Sequence, residues 1–394
     1  MEICVTVSVT LVKTNLKFSR NVWALGWTSF FTDISTEIIY PLLPVFLTTT
    51  LGASMAFVGL VEGIAESTAS VLKLVSGWWS DKIAKRKSLA VAGYALSGLT
   101  RPMIALAFVG WHVLAARFLD RVGKGIRTSP RDALLADSVP PDRRGAAFGV
   151  QRSMDNAGAI IGPLIAWAAL TWWTQDYRLL FWVASVPMVF AVAALAFGAK
   201  EVAPPRRDAS APTESFVATP KFKRYLSILL LFTLGNSSDA FLILRAKSLG
   251  IADSLLPLLW VALHVVKTAS GLPAGFLCDR IGRKVLIVAG WLIYAAVYAG
   301  FGAAGAAWHI WGLFIVYGFF FGMTEAAERA MVADFYPSGQ RGRAFGLYNA
   351  AIGLGALPAS LLMGWLWAQF GASVAFGAGA TLAGVAAVLM ALLM

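Results

Sequence analysis

Four carboxylates stand in two pairs one helical turn apart, Asp33/Glu37 and Glu62/Glu66, inside stretches that are otherwise apolar. A charge at the centre of a bilayer costs about 2.5–3.5 kcal/mol even on the most permissive insertion scale, so it must face a cavity or a partner. Two carboxylates at i, i+4 share one helix face, and in a low dielectric both cannot ionise cheaply. Each pair is therefore a candidate for reversible proton binding. Glu62, Glu66 and Ser70 form one stripe, consistent with a wet face. A denser group follows along one predicted helix: Arg117, Asp120, Arg121, Lys124, Arg127, Arg131 and Asp132. Its Arg117, Arg121 and Lys124 are candidates for anion recognition or coupling. Further candidates are Arg152, Asp155, Asp239, Lys267 and Glu325, with Glu328 and Arg329 beside the last. Acids and bases are close to balanced, so each charge has a plain alternative role as half of a structural ion pair. Clustering and shared facing favour a lined cavity that handles protons and solute.

The elements that must position these residues are membrane helices. Of 394 residues, 58% are hydrophobic and only 14% charged, where a soluble domain keeps roughly a quarter charged. Apolar runs long enough to cross a ~30 Å hydrocarbon core recur along the chain. They start near Asn21, Met55, Ser88, Gly110, Ala146 and Arg178, then Tyr225, Ala252, Val285, Ala307, Ala344 and Ala372. The runs do not alternate as barrel strands do, so an all-α membrane protein of about twelve transmembrane helices is expected.

The net charge of +12 would suit nucleic acid only if its placement did not explain it. Lys82, Lys85, Arg86 and Lys87 follow the second run, Arg143 and Arg144 the fourth, Arg280, Arg283 and Lys284 the eighth, and Arg341 and Arg343 the tenth. The opposite loops, such as 49–54 and 302–307, hold no Lys or Arg. That asymmetry is topogenic and predicts an integral, multi-pass inner-membrane protein with both termini in the cytoplasm. Nucleic acid is not an expected partner; membrane lipids are. Cys4 and Cys278 then both face a reducing compartment, so no structural disulfide is expected. Residues 1–20 lack the order of a signal peptide and read as a cytoplasmic tail.

The chain repeats itself. Gly77-Trp78-Trp79-Ser80-Asp81-Lys82-Ile83-Ala84-Lys85-Arg86 matches Gly275-Phe276-Leu277-Cys278-Asp279-Arg280-Ile281-Gly282-Arg283-Lys284. Ala136-Asp137, Pro140, Arg144-Gly145 and Ala147-Phe148-Gly149 match Ala333-Asp334, Pro337, Arg341-Gly342 and Ala344-Phe345-Gly346. Both matches have nearly one offset, so a six-helix unit is used twice in parallel. The expected organisation is a tail (1–20), a first bundle (21–199), a Pro-bearing polar linker (200–224) and a second bundle (225–394). Such a linker leaves the bundles free to rock about a central cavity.

These residues also carry a resemblance. The duplicated Gly77-x-x-x-Asp81-Lys82-x-x-Lys85-Arg86 and Gly275-x-x-x-Asp279-Arg280-x-Gly282-Arg283-Lys284 resemble the loop signature of the major facilitator superfamily, with Ala84 departing from the usual Gly. Arg117-Phe118-Leu119-Asp120 resembles that family's arginine motif in part, since Arg121 stands where a Gly is common. Gly158-x-x-x-Gly162-Pro163-Leu164-Ile165-Ala166 resembles its antiporter motif, with Ala166 in place of a final Gly. The resemblance implies the family's fold, inverted three-helix repeats within each half, and a site between the halves. It implies a cytoplasmic latch at the Asp81 and Asp279 loops, involving Gly77, Lys82, Arg86, Gly275, Arg280 and Arg283. It also associates the arginine with proton coupling and the motif at Gly158, Gly162 and Pro163 with export.

Other residues add little. His112 and His309 fall in short loops and only His264 in a span, so no metal site is expected. Trp78, Trp79, Trp172 and Trp173 read as interfacial anchors. No Gly-x-x-x-x-Gly-Lys-Ser/Thr loop occurs, so ATP does not drive the protein directly, and no cofactor or catalytic domain is expected. The expected function is proton-coupled export of a small anionic or zwitterionic organic solute, by alternating access and as a monomer. Proton-coupled uptake of an organic anion is the first alternative. Transport of a divalent metal ion, with Asp33 and Glu37 as oxygen ligands, is the second.

Overall fold

The computed structural model describes residues 19–83, 85–140, 143–202, 217–336 and 340–394, with residues 73–83, 145, 272, 279, 341 and 342 described by their backbone alone. The first half holds α1 (Arg20–Ile39, prolonged by short turns to Thr50), α2 (Met55–Ile83), α3 (Arg86–Ala105), α4 (Gly110–Asp137), α5 (Arg144–Trp172) and α6 (Tyr177–Gly198, in three consecutive pieces). The second holds α7 (Pro220–Gly235 and Ala240–Ser248), α8 (Leu256–Ile281), α9 (Arg283–Ala303), α10 (Ala307–Asp334), α11 (Arg341–Phe370) and α12 (Ala372–Leu393). The starts fall within about five residues of the sequence reading. The largest difference is α7, which begins at Pro220 rather than Tyr225. Thr219 caps it by accepting the Phe222 N–H at 3.2 Å, and Pro220 fills a first-turn position where no N–H is needed.

Nine of the described helices are long and apolar enough to cross a membrane by length and composition. The three that fall short are α3, α4 and α5; Arg101, Arg117, Asp120 and Arg121 of α3 and α4 are buried and paired inside the protein, whereas Arg152 of α5 is half exposed.

Packing repeats with the sequence. α1 lies on α5 and α6, α2 and α3 on α4, and α3 on α6. In the second half α7 lies on α11 and α12, α8 and α9 on α10, and α9 on α12. The two long contacts between halves, α2 with α11 and α5 with α8, are counterparts under the same duplication. Gly282 enters α9 at φ +90°, a conformation L side chains rarely adopt. Ala84, at the equivalent place, lies outside the described residues.

The two ends differ. At the end away from the basic loops, residues 43–45 pack on the second piece of α7, and α5 touches residues 253–255. There Tyr177 donates to the Asp253 carboxylate, which also pairs with Lys247. This end is closed. Trp172 and Trp173 stand largely exposed beside it, as interfacial anchors would.

Candidate functional site

A cavity of about 700 Å³ lies between the halves and runs from mid-helix toward the basic end, where Asp132, Phe148 and Phe345 line it. About half of its lining residues are charged and most of the others are polar. Asp33, Glu37, Asp120, Asp132 and Asp155 line it, as do Arg121, Lys124, Arg127, Arg131, Arg152, Lys267 and Arg329. Both members of the first carboxylate pair are thus in the cavity.

The glycines of α5 place that pair. A Cβ on Gly158 would run into the Phe30 carbonyl oxygen and lie 3.1 Å from Asp33 Cβ. One on Gly162 would lie 2.7 Å from the Ile34 carbonyl oxygen and 3.0 Å from Glu37 Cβ. Bare backbone at these positions lets α1 settle against α5 at the two turns that carry the carboxylates. Gly158→Ala should therefore lower stability by about 1–3 kcal/mol through overpacking. Gly149→Ala on the same helix, with nothing within 4 Å of the added carbon, should not; thermal unfolding of the two purified variants checks this.

Within the pair the surroundings diverge. Glu37 accepts the Trp260 indole N–H at 2.7 Å, a bond from the first half to the second. Asp33 has no hydrogen-bond or ion-pair partner among the described residues. Asp155 accepts from Gln151 at 3.1 Å and lies 3.9 Å from Arg152.

The second carboxylate pair is placed otherwise, and the wet stripe expected of it needs correction. Glu62 and Ser70 are buried, and of the three only Glu66, its side chain 47% exposed, meets solvent. α4 runs parallel to α2 and offers arginines at the same spacing: Arg117 donates to both Glu62 oxygens at 2.9 Å, and Arg121 pairs with Glu66 at 2.9 Å. Neither glutamate lines the cavity. Asp120 completes the web, 3.3 Å from Arg101 and 4.0 Å from Arg117. Arg101 was not a candidate from sequence, yet its side chain is 2% exposed and donates to Ser35 and Thr36 of α1. An arginine inside the apolar run before Pro102 was the available signal.

In the second half, Asp239 sits where α7 unwinds over residues 236–239, and Tyr317 donates to it at 2.6 Å. It does not line the cavity. Lys267 does, paired at 3.3 Å with Glu325. His264 lines the cavity, and its Nε2 is buried with no hydrogen-bond partner among the described residues. Glu328 is held behind the wall by Trp291 at 2.9 Å and Tyr348 at 2.8 Å. Among the described residues no three His, Cys, Asp or Glu side chains gather as a metal would need.

The repeated motifs meet in space. Arg86 pairs with Asp137, and in the second copy Arg283, the residue before Arg86's counterpart Lys284, pairs with Asp334 at 2.7 Å. Each half thus ties the start of its third helix to the end of its fourth. Arg280 is exposed, and a Cβ on Gly275 would meet nothing within 4 Å. Gly77, Asp81, Lys82 and Asp279 are described by their backbone alone, so the latch expected of their side chains lies outside the described residues.

Twelve helices duplicated about a charged central cavity accord with one family, and a model of the Major Facilitator Superfamily matches residues 25–261 and 225–394. The chain belongs to the major facilitator superfamily. It is an integral membrane transporter and not an enzyme. It is 34% identical over 358 residues to an uncharacterized MFS-type transporter of Methanocaldococcus jannaschii, covering 89% of each chain. It is 24% identical to the multi-drug resistance efflux pump PmrA of Streptococcus pneumoniae, over 92% of this chain and 93% of that one. Among solved structures, a POT family transporter in complex with 5-aminolevulinic acid shares the fold with a TM-score of 0.80, at 11% identity over 96% of this chain and 97% of that one.

Proposed function

We propose that this transporter exchanges protons for a small zwitterionic organic solute and so exports it across the inner membrane. The carrying observation is the wall itself: carboxylates on α1 and α5, with bases on α4, α5, α8 and α10, around one cavity. With the basic end in the cytoplasm, the conformation is open inward and closed outward.

Charge decides the mode of coupling. An ammonium group seated on Asp33 excludes the proton from it, so solute and proton take turns, which is antiport. A solute bearing only negative charge binds best when the carboxylates are protonated, so the two travel together. Exchange therefore requires a cationic group, and the base-rich wall requires an anionic one. The Gly158–Gly162–Pro163 motif and the efflux function named for the pneumococcal relative support the outward direction. Proton-coupled uptake of an anion is the second reading, supported by the seven bases of the lining against five acids. Solute movement in everted vesicles under an imposed pH gradient separates the two.

A further inference from the structure

We infer that the anionic group of the solute docks on Arg152 of α5, Lys267 of α8 and Arg329 of α10, which converge on Glu325 across the two halves. This inference deepens the zwitterion reading and rests on it.

Lys267 and Arg329 each lie 3.3 Å from the Glu325 carboxylate, and Arg152 reaches it from the other half at 4.0 Å. Arg152 is also 3.9 Å from Asp155. Three bases thus face two acids, which leaves one positive charge on a cavity wall (3 − 2 = 1). Exposure separates this cluster from the structural ties. The side chains of Arg101, Arg117 and Arg121 are 2%, 3% and 5% exposed, whereas those of Lys267, Arg152 and Arg329 are 31%, 53% and 53% exposed. Buried pairs hold helices together, while these bases are open to whatever enters. Lys267 is steadied over the Phe321 ring at 4.7 Å, and one turn before it His264 lines the same cavity.

Guanidinium forks and an ammonium suit an oxyanion, a carboxylate or a phosphate, which accepts several charge-assisted bonds at once. Seated here, it competes with Glu325 for the same donors. It also bridges the halves, since Arg152 belongs to the first and the other two bases to the second.

Calorimetric titration of the full-length purified protein with malonate, inorganic phosphate and acetate, at constant ionic strength in choline chloride, tests this. Malonate or phosphate should bind, and which of them does tells a carboxylate from a phosphate ligand. Lys267→Gln and Arg329→Gln should each weaken that binding by about tenfold or more, and Glu325→Gln should tighten it. Arg152→Gln reads the same subsite from the other half should either second-half variant fail to fold. The proposal is overturned if no oxyanion binds, if folded base variants bind as the wild type does, or if Glu325→Gln weakens binding. Equilibrium binding needs no gradient. Intact oxyanion binding with no proton-driven transport would therefore overturn the exchange reading and not the subsite.

Discussion

Everted vesicles carrying Asp33→Asn should lose accumulation of solute driven by a pH gradient, falling to the level of protonophore-treated wild type, yet still exchange labelled for unlabelled solute. Asparagine keeps the shape of aspartate and an acceptor oxygen, but cannot gain or lose the proton that couples the cycle. Asp33 suits this test because no ion-pair partner among the described residues is stranded by the change. Gly158 holds its helix turn directly against α5, so the position of the side chain does not depend on its charge. A folded Asp33→Asn transporter that remains fully proton-driven would move the coupling role to Glu37 or Asp155.

Arg117→Leu should do the opposite, harming the fold before the transport. Glu62 is 2% exposed and both of its oxygens accept from Arg117 Nη2, with Ser238 adding a long hydrogen bond at 3.4 Å. Removing the base leaves a buried carboxylate uncompensated, which costs about 3–5 kcal/mol. Thermal unfolding in detergent should show a large drop and the yield should fall. The double variant Glu62→Leu/Arg117→Leu should recover much of the loss, because an apolar pair of similar volume replaces an ion pair at little net cost. A single variant as stable as the wild type would mean that the pair does not hold α2 to α4.

The spans were legible because hydropathy over twenty residues is a local property, and the duplication because two loop motifs recur at one offset. The charged helices α3, α4 and α5 are not apolar enough by composition to count as spans, although their runs were read as spans. Pairing was not legible. Asp33/Glu37 and Glu62/Glu66 have the same spacing and the same apolar setting, yet one pair faces a cavity and the other faces Arg117 and Arg121. The difference lies in which helix each meets, which sequence spacing within one helix does not encode. Arg101 was passed over for a related reason. Near a helix end an arginine ordinarily snorkels to the interface, whereas here Asp120 and two α1 hydroxyl groups hold it inside. The antiporter-like glycines were legible as a packing motif, but only the fold shows that they pack against the two carboxylate-bearing turns of α1.

The central claim is proton–solute exchange in the outward direction, and wild-type transport in everted vesicles tests it most directly. Screening metabolites for thermal stabilisation of the purified protein supplies the solute, and the vesicles are then given an acidic lumen. The account predicts that the solute accumulates in the lumen against its own gradient and that a protonophore abolishes the accumulation. Expulsion of preloaded solute from the lumen on acidification, with protons moving the same way, would contradict it.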